Sequence, residues 1–530
     1  MSEIDSLRAQ LRERGYLTHG IERWFALDPW SSRAFWLELL TLALKAATLI
    51  AAFGALPMAA VMAFRNHPLL AFETLALFLS YAAVWLFVAF GFVVVVALIL
   101  KLRPALPLDT PRALLAISLA AGALLTAPIA IWWYRFPAAA SLAELLVGTA
   151  LCVIFFLVAT TVVSAALLSF SIYELQRIPS IHQKPRGIPM AIAAAVLIAL
   201  LFVPAFAERE QAARAPMVVT TPTTARVALI AVDGLTYEVL QSRPDLVAGL
   251  PHVAAISSMP GTSTTERWAS LGTGVHTEQH GVRAIEGVRF RRGSHVLQRV
   301  SRGDFVLMTL APLAGIARRE PLPPTVRTRD YLWEIFAERG VPSVSVNWWA
   351  TADANAAGLD VIGPESIFTA ARGKPLRVDA FATSRFLKTL DKKKPRFAAV
   401  YLPALDVILN RIELDPAAKL ASSLRALDGI AVVSTLARAR GYEVVLVGMP
   451  GEGQRGSAVI ASSLPLQART AWDLAPALLA LFGFPSSDEM PGTASQPRIA
   501  TYGPRAADTA AAASVNQEYY DNLKSLGYIR

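Results

Sequence analysis

The chain has 530 residues, 54% of them hydrophobic and only 17% charged, with a mean hydropathy of +0.44 and a formal net charge of +10. That is too apolar for one soluble globule, and Cys152 as the only cysteine excludes an intrachain disulfide or a cysteine-derived sulfatase nucleophile after residue 207. The charge splits into +4 before residue 208 (14 basic, 10 acidic) and +6 after it (36 basic, 30 acidic). This surplus reads as solvated surface, or as a mild attraction to anionic lipid heads and glycans, and nucleic acid is not expected as a partner.

The apolarity is concentrated before residue 207. Residues 1–33 form a charged N-terminal segment, and 34–207 a membrane region with five predicted spans at 35–64, 75–100, 114–134, 145–168 and 188–206. A cleavable signal peptide would begin much earlier than residue 35. Eleven Lys and Arg lie in the N-terminal segment and the second and fourth connections, against only Arg65 and Arg135 in the other two. The positive-inside rule therefore places the N-terminus in the cytoplasm and everything after the fifth span outside, in the periplasm of a Gram-negative cell. Glu38 and Glu73 are close enough to span ends to snorkel, whereas Lys45 lies deeper.

Residues 208–224 have the Pro, Thr and charge content of a linker. From 225 to 530 short apolar strands alternate with amphipathic helices. "RVALIAVDG", "VPSVSVNWW", "RFAAVYLPALD" and "YEVVLVG" read as strands, separated by helices such as "TRDYLWEIFAERG" and "KLASSLRALDGIAVVSTLARARG". This alternation predicts an α/β domain with a mainly parallel sheet sandwiched by helices.

The first strand delivers Asp233 and Gly234 to its carboxyl end, where ligands bind in open α/β sheets. About thirty residues later "GTSTTERWASLGTGVHTEQHGV" places Ser263, Thr264 and Thr265 before a helical stretch that stops at Gly274, followed by His280 and Gly281. Such hydroxyls are ordinary helix caps, and become nucleophiles where a metal lowers their pKa. Together these segments resemble the alkaline phosphatase superfamily, most closely its type I phosphodiesterase/nucleotide pyrophosphatase branch. "VNWWATADANAAG", with Asn347 where the branch has Gly, "AWDLAPALLALFGFP" and the ending "LKSLGYI" extend the resemblance over 227–530.

The resemblance implies an alkaline phosphatase-like fold and two divalent metals, usually zinc, held by seven strand-end positions. Carried over by motif, Thr264 is the nucleophile and Asp233, Thr264 and Asp406 are the retained metal positions. The remaining positions are degenerate: "DVILN" puts Asn410 where a histidine is expected, and "GMPG" puts Met449 and Pro450 where Asp and His are expected. Gln454 meets the last histidine position. None of the seven histidines lies in the last 235 residues, so a zinc pair is not expected. Glu452 is a possible substitute that, with Asp233 and Asp406, would hold a single Mg²⁺ or Ca²⁺ through oxygen. "GEGQRG" mimics a dinucleotide fingerprint, but "SAVIASS" after it reads as a strand, which excludes that function.

Three functions follow from this reading, and in one of them the membrane part is primary and the outer domain a lid or docking module. Another is a silent, membrane-anchored relative that binds a phosphorylated lipid or glycan, or scaffolds envelope proteins. The alternative is an active phosphoric-ester hydrolase or phospho-group transferase on a lipid- or glycan-linked substrate, using Thr264 and a reduced metal site.

Overall fold

A computed structural model describes residues 10, 13, 35–66, 72–102, 111–134, 142–176, 224–259, 263–298, 304–351, 354–493, 498–505 and 517–529. The chain divides into two compact units, Met1–Glu208 with Val288–Arg318, and Arg209–Gly287 with Arg319–Arg530.

The first unit is built on four long helices: α1 (Phe35–Asn66), α2 (Phe72–Leu102), α3 (Pro111–Tyr134) and α4 (Leu142–Gln176). Each is long and apolar enough to cross a bilayer. The sequence span at 188–206 lies outside the described residues. Small residues such as Ala43, Ala46, Ala47, Ala51 and Ala55 are buried along α1. They allow the close approach to α2 and α4 that packing between apolar helices requires. Lys45 is half-buried on α1. Glu73 does not snorkel into water: it is 1% exposed and accepts from the backbone N–H groups of Ser294 (2.6 Å) and His295 (2.7 Å), in the excursion 288–318. That excursion is rooted in strands β3 (Glu286–Phe290) and β4 (Ala317–Pro321), which form their own two-stranded sheet.

The second unit carries an eight-stranded sheet. In spatial order its strands are β2 (His252–Ile256), β10 (Ala458–Ser462), β9 (Glu443–Met449), β1 (Val227–Asp233), β8 (Phe397–Leu402), β5 (Ser343–Val346), β7 (Leu359–Ile362) and β6 (Ala354–Ala356). The run β9–β1–β8–β5–β7 is parallel, while β10 and β6 turn the edges antiparallel. Every residue of β1 and β8 is buried, which requires cover on both faces of the sheet and explains their unbroken apolar sequences. Cover comes from α6 (Leu332–Glu338), α7 (Pro375–Lys393) and α8 (Pro416–Ala439), among others. The fold is the expected one, an apolar helical region followed by an α/β domain with a mainly parallel sheet.

Helix α8 is a fifth helix that by length and composition would qualify as a span. Here it starts at Pro416 behind an Asp415 side chain that accepts from Ala418 N, and it buries Ile430, Val433 and Ala437 against its surroundings, β9 among them. It is a core helix of the sheet domain.

Candidate functional site

Parallel order brings the carboxyl ends of β9, β1 and β8 to one edge. Asp233 ends β1 opposite Met449 of β9, and Gly234 N donates to Met449 O at 2.8 Å. Past β8 the chain turns at Pro403 and reaches Asp406 within one helical turn. Thr264 is the first residue of helix α5 (Thr264–Thr273), whose N-cap Ser263 accepts from Glu266 N. Two glycines permit this crowding. A Cβ on Gly451 would sit 1.9 Å from Asp406 Oδ1, and one on Gly234, at φ +84°, 2.7 Å from Asp406 N.

The centre of the site is a residue that sequence reasoning missed. Arg411 follows the degenerate Asn410, and its guanidinium is 3% exposed. It donates to Asp406 Oδ2 (2.5 Å), to Glu452 Oε2 (2.6 Å) and to Thr264 Oγ1 (2.6 Å). Its fourth contact is the ring of Tyr528, whose centroid lies 4.2 Å from the guanidinium carbon, so the C-terminal "LGYI" segment closes over it. Asp406 Oδ1 is also occupied, accepting from Asn410 Nδ2 and from Glu452 N, both at 2.9 Å. Gln454 ties the two turns together, with Oε1 accepting from Gly451 N and Nε2 donating to Gly234 O. Met449 is fully buried core, and Pro450 offers only its carbonyl, which accepts from Arg267 Nη1 at 2.6 Å.

Asp233 stands apart from this network. It is fully buried, Tyr401 donates to its Oδ2 at 3.0 Å, and among the described residues its Oδ1 has no partner within hydrogen-bond geometry. Burial, followed by the nearby Asp406 charge, pushes its carboxyl up to about 7 against the pull of Arg267 and Arg411. The remaining motif residues serve the core. His280 accepts from Val282 N at Nδ1, so its proton is on Nε2 and donates to Ser270 Oγ at 2.9 Å. Its burial drives the imidazole down to about 3, which keeps it neutral. Asn347 holds φ +62°, the left-handed conformation that glycine adopts without strain, and its Nδ2 donates to Tyr401 O. Gly451–Gly456 leads directly into β10, not into a helix.

The donors do not fit a two-metal centre. A guanidinium occupies the position between Thr264, Asp406 and Glu452, and both Asp406 oxygens are already committed. The three carboxylates of the single-cation alternative do not converge: Glu452 is turned to Arg411 and Asp233 to Tyr401. Among the described residues no cluster of three His, Cys, Asp or Glu side chains could hold a metal ion. Chemically, the bond to Thr264 comes from a donor-only group that stays charged, so it cannot take the hydroxyl proton. The signal that could have revealed Arg411 was charge balance, since two buried carboxylates deprived of metal need another cation.

Residues 227–445, from β1 into β9, match the family model described as Type I phosphodiesterase / nucleotide pyrophosphatase. A search of curated proteins finds no match. Among solved structures the chain is similar to phosphonoacetate hydrolase from Sinorhizobium meliloti 1021 in complex with phosphonoformate, at 12% identity and a TM-score of 0.30 over 44% of this chain and 60% of that one. It is also similar to human ectonucleotide pyrophosphatase / phosphodiesterase 5, at 12% identity and a TM-score of 0.34, covering 51% and 97%. A 2-O GAG sulfatase gives 12% and 0.34, covering 52% and 73%. The chain thus spans about three fifths of the phosphonoacetate hydrolase. Residues 227–445 of the second unit are thus similar to type I phosphodiesterases / nucleotide pyrophosphatases, in a chain whose earlier part holds apolar helices of membrane-spanning length.

Proposed function

We propose that this membrane-anchored phosphodiesterase-like domain is catalytically silent and serves as a binding or scaffold protein of the cell envelope. The reading rests on one observation: the Arg411 guanidinium is bonded to Thr264, Asp406 and Glu452 and covered by Tyr528, Thr264 and Asp406 being positions that the resemblance assigns to metal. A nucleophile needs a base or a metal to shed its proton, and this hydroxyl faces a fixed cation instead. The same packing closes the cleft. Thr264 is 2% exposed and Asp406 fully buried, so a phosphorylated ligand finds no entrance there. Protein partners suit the surface better. Leu420, Leu424, Val432 and Leu436 are exposed on α8 at multiples of four residues, a stripe that a protein surface covers more readily than a sugar does. The charge distribution of the connections supports an inner-membrane location with the N-terminus cytoplasmic and the α/β domain extracytoplasmic.

The test is metal content by mass spectrometry on the full chain in detergent, together with hydrolysis of bis(p-nitrophenyl) phosphate. The expected result is no stoichiometric divalent ion, and no turnover that disappears in Thr264→Ala. A divalent ion present once per chain and lost in Asp233→Ala/Asp406→Ala would overturn the reading in favour of an active hydrolase or transferase.

A further inference from the structure

We propose that residues 304–316 form a re-entrant element inserted into the bilayer beside α2, with lipid acyl chains as its partner. The sequence "DFVLMTLAPLAGI" is apolar apart from Asp304 and Thr309 and is bracketed by Arg299 and Arg302 on one side and Arg318 and Arg319 on the other. Thirteen apolar-rich residues are too few to span, but are the length of a re-entrant or interfacial segment. The flanking arginines match a headgroup layer on both sides of it.

Depth comes from the contacts with α2. Glu73, at the first turn of that helix, fixes Ser294 and His295, and Asn66, at the end of α1, pairs with the backbone of Gln298 through both its Oδ1 (2.6 Å) and Nδ2 (3.0 Å). Asp304 reaches further along the helix. Its Oδ1 accepts from Tyr81 Oη at 2.8 Å and from Leu307 N at 3.3 Å. Tyr81 is two turns beyond Glu73 on a span that begins at Phe72, about 12 Å deeper at 1.5 Å per residue. The excursion therefore descends past the span's start into hydrocarbon.

The segment is built for that medium. Val306–Leu310 is a π-helical turn running into Ala311–Leu313, and Ala311 N, Ala314 N, Gly315 N and Ile316 N donate to carbonyls within the segment. A backbone satisfied internally is what a bilayer tolerates. Leu307 and Ala311 face inward with the apolar core of α1 and α2, whereas Phe305, Leu313 and Ile316 are 58%, 81% and 46% exposed. Three large apolar side chains turned outward continue the lipid-facing surface of α2, where Leu75 and Leu79 are 55% and 56% exposed.

The test uses the full chain with Cys152→Ala, carrying single cysteines labelled with an environment-sensitive fluorophore. Phe305→Cys and Leu313→Cys are compared with Leu79→Cys on the span and Lys392→Cys on the aqueous surface of α7. In phosphatidylcholine–phosphatidylglycerol vesicles containing doxyl-labelled lipid, labels at 305 and 313 should match 79. Their emission should be blue-shifted, and their quenching by doxyl lipid several-fold stronger than at 392. Labels quenched by aqueous iodide as strongly as 392 would overturn the proposal. So would labels shielded from both quenchers, which would mean burial against protein. Retained Trp emission in each variant checks that it folded.

Discussion

Two buried arginines of the α/β domain make an instructive pair. Arg327 has a fully buried side chain, forks onto Glu334 at 2.6 and 2.7 Å, and lies 3.9 Å from the Tyr331 ring. Arg411 forks onto Asp406 and Glu452 and lies 4.2 Å from the Tyr528 ring. Arg327 is a structural tie by any reading. Arg411 is built alike, on residues that the resemblance assigns to metal, and the proposed function takes the strand-end site as part of the packing. The difference lies in the surroundings. Burial pushes Glu334 up, but Arg327 outweighs it and holds the carboxyl below its usual range, so this pair is complete. Near Arg411, Asp233 remains raised, and among the described residues its Oδ1 has no partner within hydrogen-bond geometry. One arginine sits beside a carboxylate held below its usual range, and the other near a carboxyl that stays raised.

The largest expected effect breaks either tie. Arg327→Met and Arg411→Met should each destabilise the α/β domain by about 3–5 kcal/mol, because each strips a buried carboxylate of its nearest cation, Glu334 keeping only Arg505 at 3.3 Å. Urea unfolding of the full chain in detergent, followed by emission of the buried Trp268 and Trp348, measures both. If Arg411→Met proves nearly neutral while Arg327→Met does not, the equivalence fails. Next comes Gly451→Ala, whose new methyl group meets the Asp406 carboxylate. An overpacking cost of about 1–3 kcal/mol is expected by the same assay.

The pH dependence sharpens the contrast. Asp233 is raised to about 7 in the fold against 3.8 for an ordinary aspartate, so between those values the folded state holds the extra proton. Stability therefore falls as pH rises from about 4 to 7, and the penalty is complete above 7. Asp233→Asn should raise stability at pH 8 by about 1–3 kcal/mol, discounted for coupling to Asp406, and change little at pH 4. Glu334 has the opposite sign. Its lowered carboxyl contributes above its unfolded value, and the contribution is lost on acidification. Parallel unfolding curves for Asp233→Asn and wild type from pH 4 to 8 would show that Asp233 carries no such penalty.

Strands β1, β8 and β9 were legible because a parallel sheet covered on both faces leaves unbroken apolar runs, and "VALIAVD" is one. Asn347 was legible as a glycine substitute, since its positive φ is what the motif position demands. Arg411 was not, because motif reading asks which of the positions implied by a resemblance are kept and has no place for a residue beside them. The excursion 288–318 escaped for a different reason. Its apolar run is shorter than a span, and Glu73 at a helix end suggested snorkelling, while its actual partners lie 221 and 222 positions away. Local periodicity carries no information about such pairings.

The smallest expected effect tests how much of the Arg411 network is structural. Glu452 bonds Arg411 Nη1 at 2.6 Å, yet its side chain is 58% exposed, unlike the buried Asp406 on the same guanidinium. Water screens the exposed partner, so Glu452→Gln should cost less than about 1 kcal/mol. Its backbone N–H, which donates to Asp406 Oδ1, survives the substitution. A loss comparable to that of Arg411→Met would mean that Glu452 is needed to hold the guanidinium against Thr264. The site would then depend on an exposed carboxylate in a way that the Arg327–Glu334 pair does not. A small loss would instead assign the stability to Asp406 and the Tyr528 ring, both buried, as the Arg327 tie would lead one to expect.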